Sequence, residues 1–235
     1  YTLLCLISAG IAQTVLRDKL RYGLKDFAPI IGVGGYPLAL TVSTSSNIHS
    51  VHDLIARART PEGVIFANGG VGTIAHLTTV MFLNSVQGKG LDVAYRNNPE
   101  SLQALAGGFA HMIFASASEV AALRGDGKVR VLAVTSSKRA VNLPDVPTMA
   151  ELGFPSISST LWHGYVAPAG TPTEIVAKLA GSIAKVVQDE GFQRQVGPLA
   201  FQSDVKVGSE LSAFLAAEAS RWRRVIVENN IQVTA

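Results

Sequence analysis

The chain alternates between short apolar runs and segments whose apolar residues recur at helical spacing. The apolar runs predict strands over residues 2–7, 28–33, 38–42, 64–67, 92–95, 112–114, 129–134 and 164–167. The helical spacing predicts helices over residues 51–58, 73–86, 101–106 and 118–123. Such alternation is typical of an α/β fold, and it predicts a largely parallel sheet.

Two more helices are predicted in the C-terminal third. Thr171, Pro172 and Glu174 follow the order of a capping box, in which the threonine side chain caps the helix and the glutamate pairs with the cap. A second amphipathic helix begins near Ser209 and ends near Asn229. Because there is no repeat and no low-complexity linker, two domains would have to be joined by strands.

The composition sets the size of the core and excludes several classes of protein. The 235 residues are 48% hydrophobic, enough for one large or two small domains. No apolar run reaches the roughly 18–20 residues of a membrane helix. The net charge is +3, and the basic residues are scattered along the sequence. The one basic group, residues 221–224, falls on a predicted solvated helix face, so no nucleic-acid partner is expected. Cys5 is the one cysteine of the sequence, so an intrachain disulfide is excluded. Because it lies in an apolar run, Cys5 is expected in the core.

One loop has the composition of an anion-binding site. Residues 68–73 (NGGVGT), here called the glycine loop, follow a predicted strand and precede a predicted helix. Glycines let the backbone approach a ligand closely, and the N–H groups and dipole of a helix N-terminus attract negative charge. The ligand could be a phosphate, a dinucleotide or a carboxylate. The remaining explanation is a tight turn that binds nothing.

The phosphate and dinucleotide alternatives have weak support. The Gly-Lys-Ser/Thr sequence of a P-loop is absent. Residues 70–75 fit G-x-G-x-x-A, and Asp92 follows about twenty residues after Gly72, as in dinucleotide-binding folds. However, Asp92 begins a predicted strand, whereas the ribose-binding acid should end one. A nucleotide-dependent oxidoreductase using this loop therefore stays open as the alternative.

No catalytic or metal-binding constellation accompanies the loop. There is no G-x-S-x-G elbow and no pair of acids placed for acid–base catalysis. No metal ion is expected, because carboxylate and cysteine clusters are missing around the five histidines, which are His49, His52, His76, His111 and His163. His76 either faces the ligand or packs, and His111 is expected to be hydrogen-bonded at a strand start. These features favour a binding protein without a cofactor over an enzyme.

Five stretches of the chain resemble the Bug-type extracytoplasmic solute receptors, the substrate-binding proteins of tripartite tricarboxylate transporters. They are YTLL with LKDFAPI (residues 1–4 and 24–30), ANGGVGTIAHL (67–77), VRVLAVTSSKRAVNLPDVPTMAELGF (129–154), WHGYVAPAGTP (162–172), and the C-terminal helix with Glu218 and Trp222. The third stretch is close to a family signature over its whole length. The resemblance covers essentially the whole chain.

This resemblance implies a two-lobed periplasmic binding protein of the Venus-flytrap type, an α/β fold with a central sheet flanked by helices in each lobe. Residues 1–41 with 167–235 would form one lobe and residues 42–166 the other, with the ligand in the cleft between them. The implied ligand is a small organic carboxylate, and the implied partners are the membrane permease subunits of a tripartite transporter. A sensory receptor on the same scaffold is a further alternative.

The resemblance also implies ligand-binding roles for individual residues. They are Ser8, Asn68, Gly70, Val71, Gly72, Thr73, Tyr95, Ala115 and Ser116. The family often has aspartate where Ala115 stands, so an amino-acid ligand with an ammonium group is not expected. The family's first strand, a second carboxylate loop and the signal peptide would precede YTLL, and we therefore expect sequence upstream of Tyr1. We also expect a monomer.

Overall fold

The computed structural model describes residues 2–17 and 20–232. Its strands are β1 (Leu4–Ile7), β2 (Phe27–Ser43), β3 (Val64–Asn68), β4 (Gly90–Ala94), β5 (Met112–Ser116), β6 (Val129–Val134), β7 (Thr160–Pro168) and β8 (Gln202–Val207). Its helices are α1 (Ser8–Leu16), α2 (Val51–Ala58), α3 (Ile74–Ser85), α4 (Asn98–Ala106), α5 (Ala117–Leu123), α6 (Thr173–Gln188), α7 (Glu190–Val196) and α8 (Gly208–Glu228).

The chain divides into two compact units. The first comprises Tyr1–Tyr36 and Leu161–Ala235, and the second comprises Pro37–Thr160. Both passages between the units lie within strands, because β2 and β7 each contain a boundary. The lobe boundaries expected from the sequence, after residues 41 and 166, fall a few residues further along the same two strands.

The first unit is built on strands in the order β1–β7–β2–β8. β1 pairs antiparallel with β7, and the N-terminal half of β2 pairs antiparallel with β8. Ile11 of α1, Trp162 of β7 and Leu211 of α8 share one apolar cluster. A second cluster joins Ile30 and Ile31 of β2 to the apolar face of α6. Burial of these helix stripes against the strands is the main source of stability in this unit.

The second unit is a sheet in the order β6–β2–β5–β3–β4. β4, β3 and β5 run parallel, and the C-terminal half of β2 is antiparallel to β5 and β6. Phe82 of α3 and Phe114 of β5 are completely buried and meet edge to face, with ring centroids 6.0 Å apart. Because β4, β3 and β5 are parallel, their carboxyl ends lie along one edge of the sheet.

Side-chain caps start α2, α3 and α4 of the second unit. Ser50 Oγ accepts the N–H of Asp53 (3.1 Å) at the start of α2, and Asn97 Oδ1 accepts the N–H of Glu100 (2.9 Å) at the start of α4. The predicted spans of α2 and β6 are confirmed residue for residue.

The prediction of a largely parallel sheet is wrong. Among the strand pairs of the described residues, only β3 with β4 and β3 with β5 are parallel. The reason is β2, which was predicted as two strands and is one strand of 17 residues. It pairs antiparallel with β5, β6 and β8. The run Gly34-Gly35-Tyr36-Pro37 lies within this strand, whose pairing with β8 shifts register between Gly32 and Gly34.

Two local predictions are also wrong. Thr171 does not cap α6, since the helix is capped by Pro172 and the Thr171 hydroxyl donates instead to the carbonyl of Pro168 (2.7 Å). Cys5 is exposed, because among the described strands β1 pairs only with β7, which leaves Cys5 accessible to solvent. Within residues 2–17 and 20–232, no helix combines the length and hydropathy needed to span a bilayer.

Candidate functional site

The glycine loop connects β3 to α3, as predicted. Thr73 caps α3, with its Oγ1 accepting the N–H of His76 (3.3 Å) and donating to the carbonyl of Gly70 (2.9 Å). Gly70 and Gly72 have φ angles of +130° and +79°. Side chains with a Cβ rarely adopt such angles, so the path of the loop requires glycine at both positions.

Three side chains from three elements hold the loop. Asn68 Oδ1 at the end of β3 accepts the N–H of Gly70 (2.8 Å), and His76 Nδ1 on α3 accepts the N–H of Gly72 (3.3 Å). The carboxylate of Asp92 on β4 accepts from both of these residues, from Asn68 Nδ2 and from His76 Nε2 (3.0 Å). The backbone of the glycine loop is thus tied to the neighbouring strand.

The start of α3 leaves backbone donors available. Within the part of the chain that the structure describes, the N–H groups of Val71, Ile74 and Ala75 have no protein acceptor. Such N–H groups carry the positive end of the helix dipole and attract an anion. Two carboxylate oxygens have enough lone pairs for all three donors.

The structure brings most of the predicted residues of the second unit to one edge of the sheet. Asn68 ends β3, Tyr95 follows β4 directly, and Ala115 and Ser116 end β5. The N–H of Tyr95 donates to the carbonyl of Asn68 (2.8 Å), which joins the ends of β3 and β4. In open α/β sheets, ligands bind at the carboxyl ends of the strands, and this edge therefore has the expected position of a binding site.

The sequence matches the family model TctC, the tripartite tricarboxylate transporter family receptor, over residues 1–231. This chain belongs to that receptor family. The relative BugT from Bordetella pertussis (strain Tohama I) is 28% identical over 211 residues, which are 89% of this receptor. The chain spans 65% of the length of BugT and 61% of the length of another curated relative, from Pseudomonas sp. (strain P51).

Solved structures show the same fold. Rpa4515 from R. palustris, solved with adipate, is 28% identical, with a TM-score of 0.86 over 99% of this receptor and 79% of that chain. The periplasmic binding protein BugD is 24% identical, with a TM-score of 0.82 over the same shares of the two chains. The predicted Bug-type resemblance and periplasmic binding protein fold are thereby confirmed.

Ser8 lies in the first unit of the receptor, at the start of α1. It is 2% exposed, and its Oγ accepts the N–H of Trp162 (3.0 Å). This bond joins α1 to β7 within the first unit. Its ligand-binding role stays a prediction.

Two polar residues near Ser116 were not anticipated. Glu119 in α5 and Asn142 each bury one side-chain oxygen that finds no donor among the described residues. Burial raises the pKa of Glu119 above its ordinary value. A backbone hydrogen bond from Ser116 lowers the pKa by less than burial raises it. The spacing Ser116-x-x-Glu119 after a strand is a capping-box signal that could have drawn attention to Glu119.

The dinucleotide alternative does not fit the position of Asp92. This residue lies in the middle of β4, and its carboxylate is engaged by Asn68 and His76 of the receptor itself. A ribose-binding acid has to present its carboxylate to the hydroxyl groups of the ligand.

Within residues 2–17 and 20–232, no group of three or more His, Cys, Asp or Glu side chains is arranged to hold a metal ion.

His111 is hydrogen-bonded before β5, as predicted, since its Nδ1 accepts the N–H of Ile65 (2.9 Å). Burial and the charge of Arg57 lower the pKa of His111 below its ordinary value of 6.5. The unfolded chain then binds more protons just below pH 6.5, so this residue costs stability as the pH falls through that range. A single proton contributes at most about 1.4 kcal/mol per pH unit, and partial exposure reduces this.

We therefore expect His111→Asn, which keeps an acceptor but cannot titrate, to flatten the loss of unfolding free energy between pH 7.5 and 5.5. Urea titrations at several pH values measure this loss. The matched control is the same change at the exposed His52, which should leave the slope unchanged. Equal slopes for wild type and His111→Asn would contradict the prediction.

Proposed function

We propose that this protein is a non-catalytic periplasmic receptor that binds a small organic carboxylate at the glycine loop. It delivers the bound ligand to the membrane permease of a tripartite transporter, and it acts as a monomer. Membership of the receptor family supports the transport role and the expected permease partner.

The observation that carries the proposal is the set of free N–H donors at Val71, Ile74 and Ala75. They lie at, or just before, the N-terminus of α3, a helix of 12 residues. A carboxylate there needs no cationic side chain, because the helix dipole and the backbone donors already favour negative charge. Bridging waters can satisfy its remaining lone pairs.

The carboxylate class is also supported by a relative. Rpa4515, 28% identical, was solved with adipate, a dicarboxylate. We propose that this receptor takes a mono- or dicarboxylate without an ammonium group, since Ala115 offers no acid at its position. Tyr95 and Ser116 complete the contacts from the second unit, and Ser8 contributes from the first.

A thermal-shift screen followed by calorimetric titration tests the proposal. The panel contains mono-, di- and tricarboxylates including adipate, together with amino acids and nicotinamide nucleotides. A ligand at 100 times its Kd stabilises the folded protein by about 2.7 kcal/mol, which is readily detected.

Binding of a carboxylate, with no response to the nucleotides, is the expected result. Binding of a nicotinamide nucleotide would overturn the proposal in favour of the oxidoreductase alternative. Tight binding of an amino acid would show that the ligand class is wrong. If no carboxylate binds, the receptor assignment of the glycine loop fails.

A further inference from the structure

Two hydrogen bonds that shape the glycine loop lead back to one carboxylate. The N–H of Gly70 is held by Asn68, and the N–H of Gly72 is held by His76. Each of these side chains also donates a hydrogen bond from its other polar group to the carboxylate of Asp92. Asp92 lies on β4, and Asn68 lies on β3, its parallel neighbour in the sheet.

The arrangement determines which way each side chain is oriented. His76 accepts through Nδ1, so its ring proton is on Nε2, where it faces Asp92. Asn68 presents Oδ1 to Gly70 and must therefore present its amide NH₂ to Asp92. Asn68 and His76 therefore each direct a donor at position 92, and a carboxylate supplies two acceptor oxygens there. An asparagine at position 92 would replace one of these two acceptor oxygens by an NH₂ group, which is itself a donor.

We propose that Asp92 is a positioning residue for the carboxylate site. It keeps Asn68 and His76 bonded to the N–H groups of Gly70 and Gly72. The loop then adopts the one path in which the N–H groups of Val71, Ile74 and Ala75 are left for the ligand. This inference rests on the proposed function, because it assigns Asp92 a role in the same site.

Because Asn68 and His76 are buried, loss of their acceptor at Asp92 is costly. Asn68 is 1% and His76 4% exposed, whereas the Asp92 side chain is 34% exposed at the rim of the sheet. When one acceptor is removed, a buried donor is left unpaired, which is more costly than losing an exposed hydrogen bond. The loop relieves that cost by moving, since its other supports are backbone turns and the Thr73 cap.

The test compares Asp92→Asn with Asp126→Asn, the same change at an exposed position on another turn. Adipate is the titrant. For each protein we would measure the Kd, the exchange rates of the Gly70 and Gly72 amide protons without ligand, and the ¹⁵N signals of the His76 ring. We expect Asp92→Asn to weaken adipate binding about tenfold, to speed exchange at both glycines and to change the ring signals. Asp126→Asn should match wild type in all three.

Two outcomes would overturn the inference. One is an unchanged Kd together with unchanged exchange at Gly70 and Gly72. The other is weaker binding that follows a general loss of stability, with faster exchange throughout β3, β4 and α3 and no selective effect on the glycine loop. If adipate and the other carboxylates fail to bind the wild-type protein, the proposed function fails. The exchange rates would then still report separately whether Asp92 orders the loop.

Discussion

Replacing Trp222 by alanine is expected to lower the free energy of unfolding by about 3–5 kcal/mol, the usual cost of removing a buried aromatic side chain. Trp222 is the largest fully buried side chain, at 0% exposure on α8. Its Nε1 donates to Glu218 Oε2 (3.0 Å), so the change leaves a cavity and removes one of two donors to a mostly buried carboxylate, which keeps its ion pair with Arg221.

Urea titration monitored by fluorescence measures this loss, because the second tryptophan, Trp162, is also in the first unit and remains as the probe. Trp222→Phe should cost less, because it removes the hydrogen bond but keeps most of the volume. Arg224→Ala, an exposed change on the same helix, should stay within about 0.5 kcal/mol of wild type. A Trp222→Ala cost below about 1 kcal/mol would show that α8 does not depend on this packing.

Replacing Gly69 by alanine is expected to weaken binding of a carboxylate by about 10- to 100-fold. A Cβ at this position would overlap Asn98 Oδ1, and it would lie 2.8 Å from the backbone nitrogen of Asn98 and 3.0 Å from the carbonyl carbon of Asn97. Rotation of a side chain can relieve only the first contact. The backbone of the glycine loop must therefore shift away from α4, at a cost of about 1–3 kcal/mol.

Calorimetric titration with adipate checks this expectation. Gly197→Ala is the matched control, since Gly197 has a φ of −55° and a Cβ there meets nothing within 4 Å. It should leave the affinity unchanged. An unchanged affinity in Gly69→Ala would mean that the loop can move without affecting the ligand, and would argue against binding at the N–H groups of this loop.

The sequence predicts those elements whose own residues determine their structure. Helix α2 has a serine cap, and apolar residues at helical spacing follow it. Strand β8 was missed because QSDVKV at Gln202–Val207 is polar, with no fully buried residue, and it becomes a strand by pairing with β2. Helix α1 was missed because it continues an apolar run without a polar cap. Tertiary pairing decides these two elements, and local pattern does not.

The candidate site divides in the same way. The glycine loop could be found from its composition, and Gly70 has the positive φ angle and Thr73 the position at the start of α3 that the pattern predicts, whereas Gly72 precedes the helix with a positive φ angle of its own. The role of Asp92 could not be found, because it depends on the register that pairs Phe66 with Asp92 across β3 and β4. Sequence spacing alone matched that residue to a different chemistry, recognition of a ribose.

The discontinuity of the first unit has a consequence for the order of folding. The second unit is one uninterrupted segment, Pro37–Thr160, so every strand of its sheet lies within one stretch of the chain. The first unit needs β7 and β8 from the end of the chain beside β2 from its start. Its closure spans more than a hundred residues, which makes it the slower step. We therefore expect the second unit to fold first and the first unit to follow once β7 and β8 are in place.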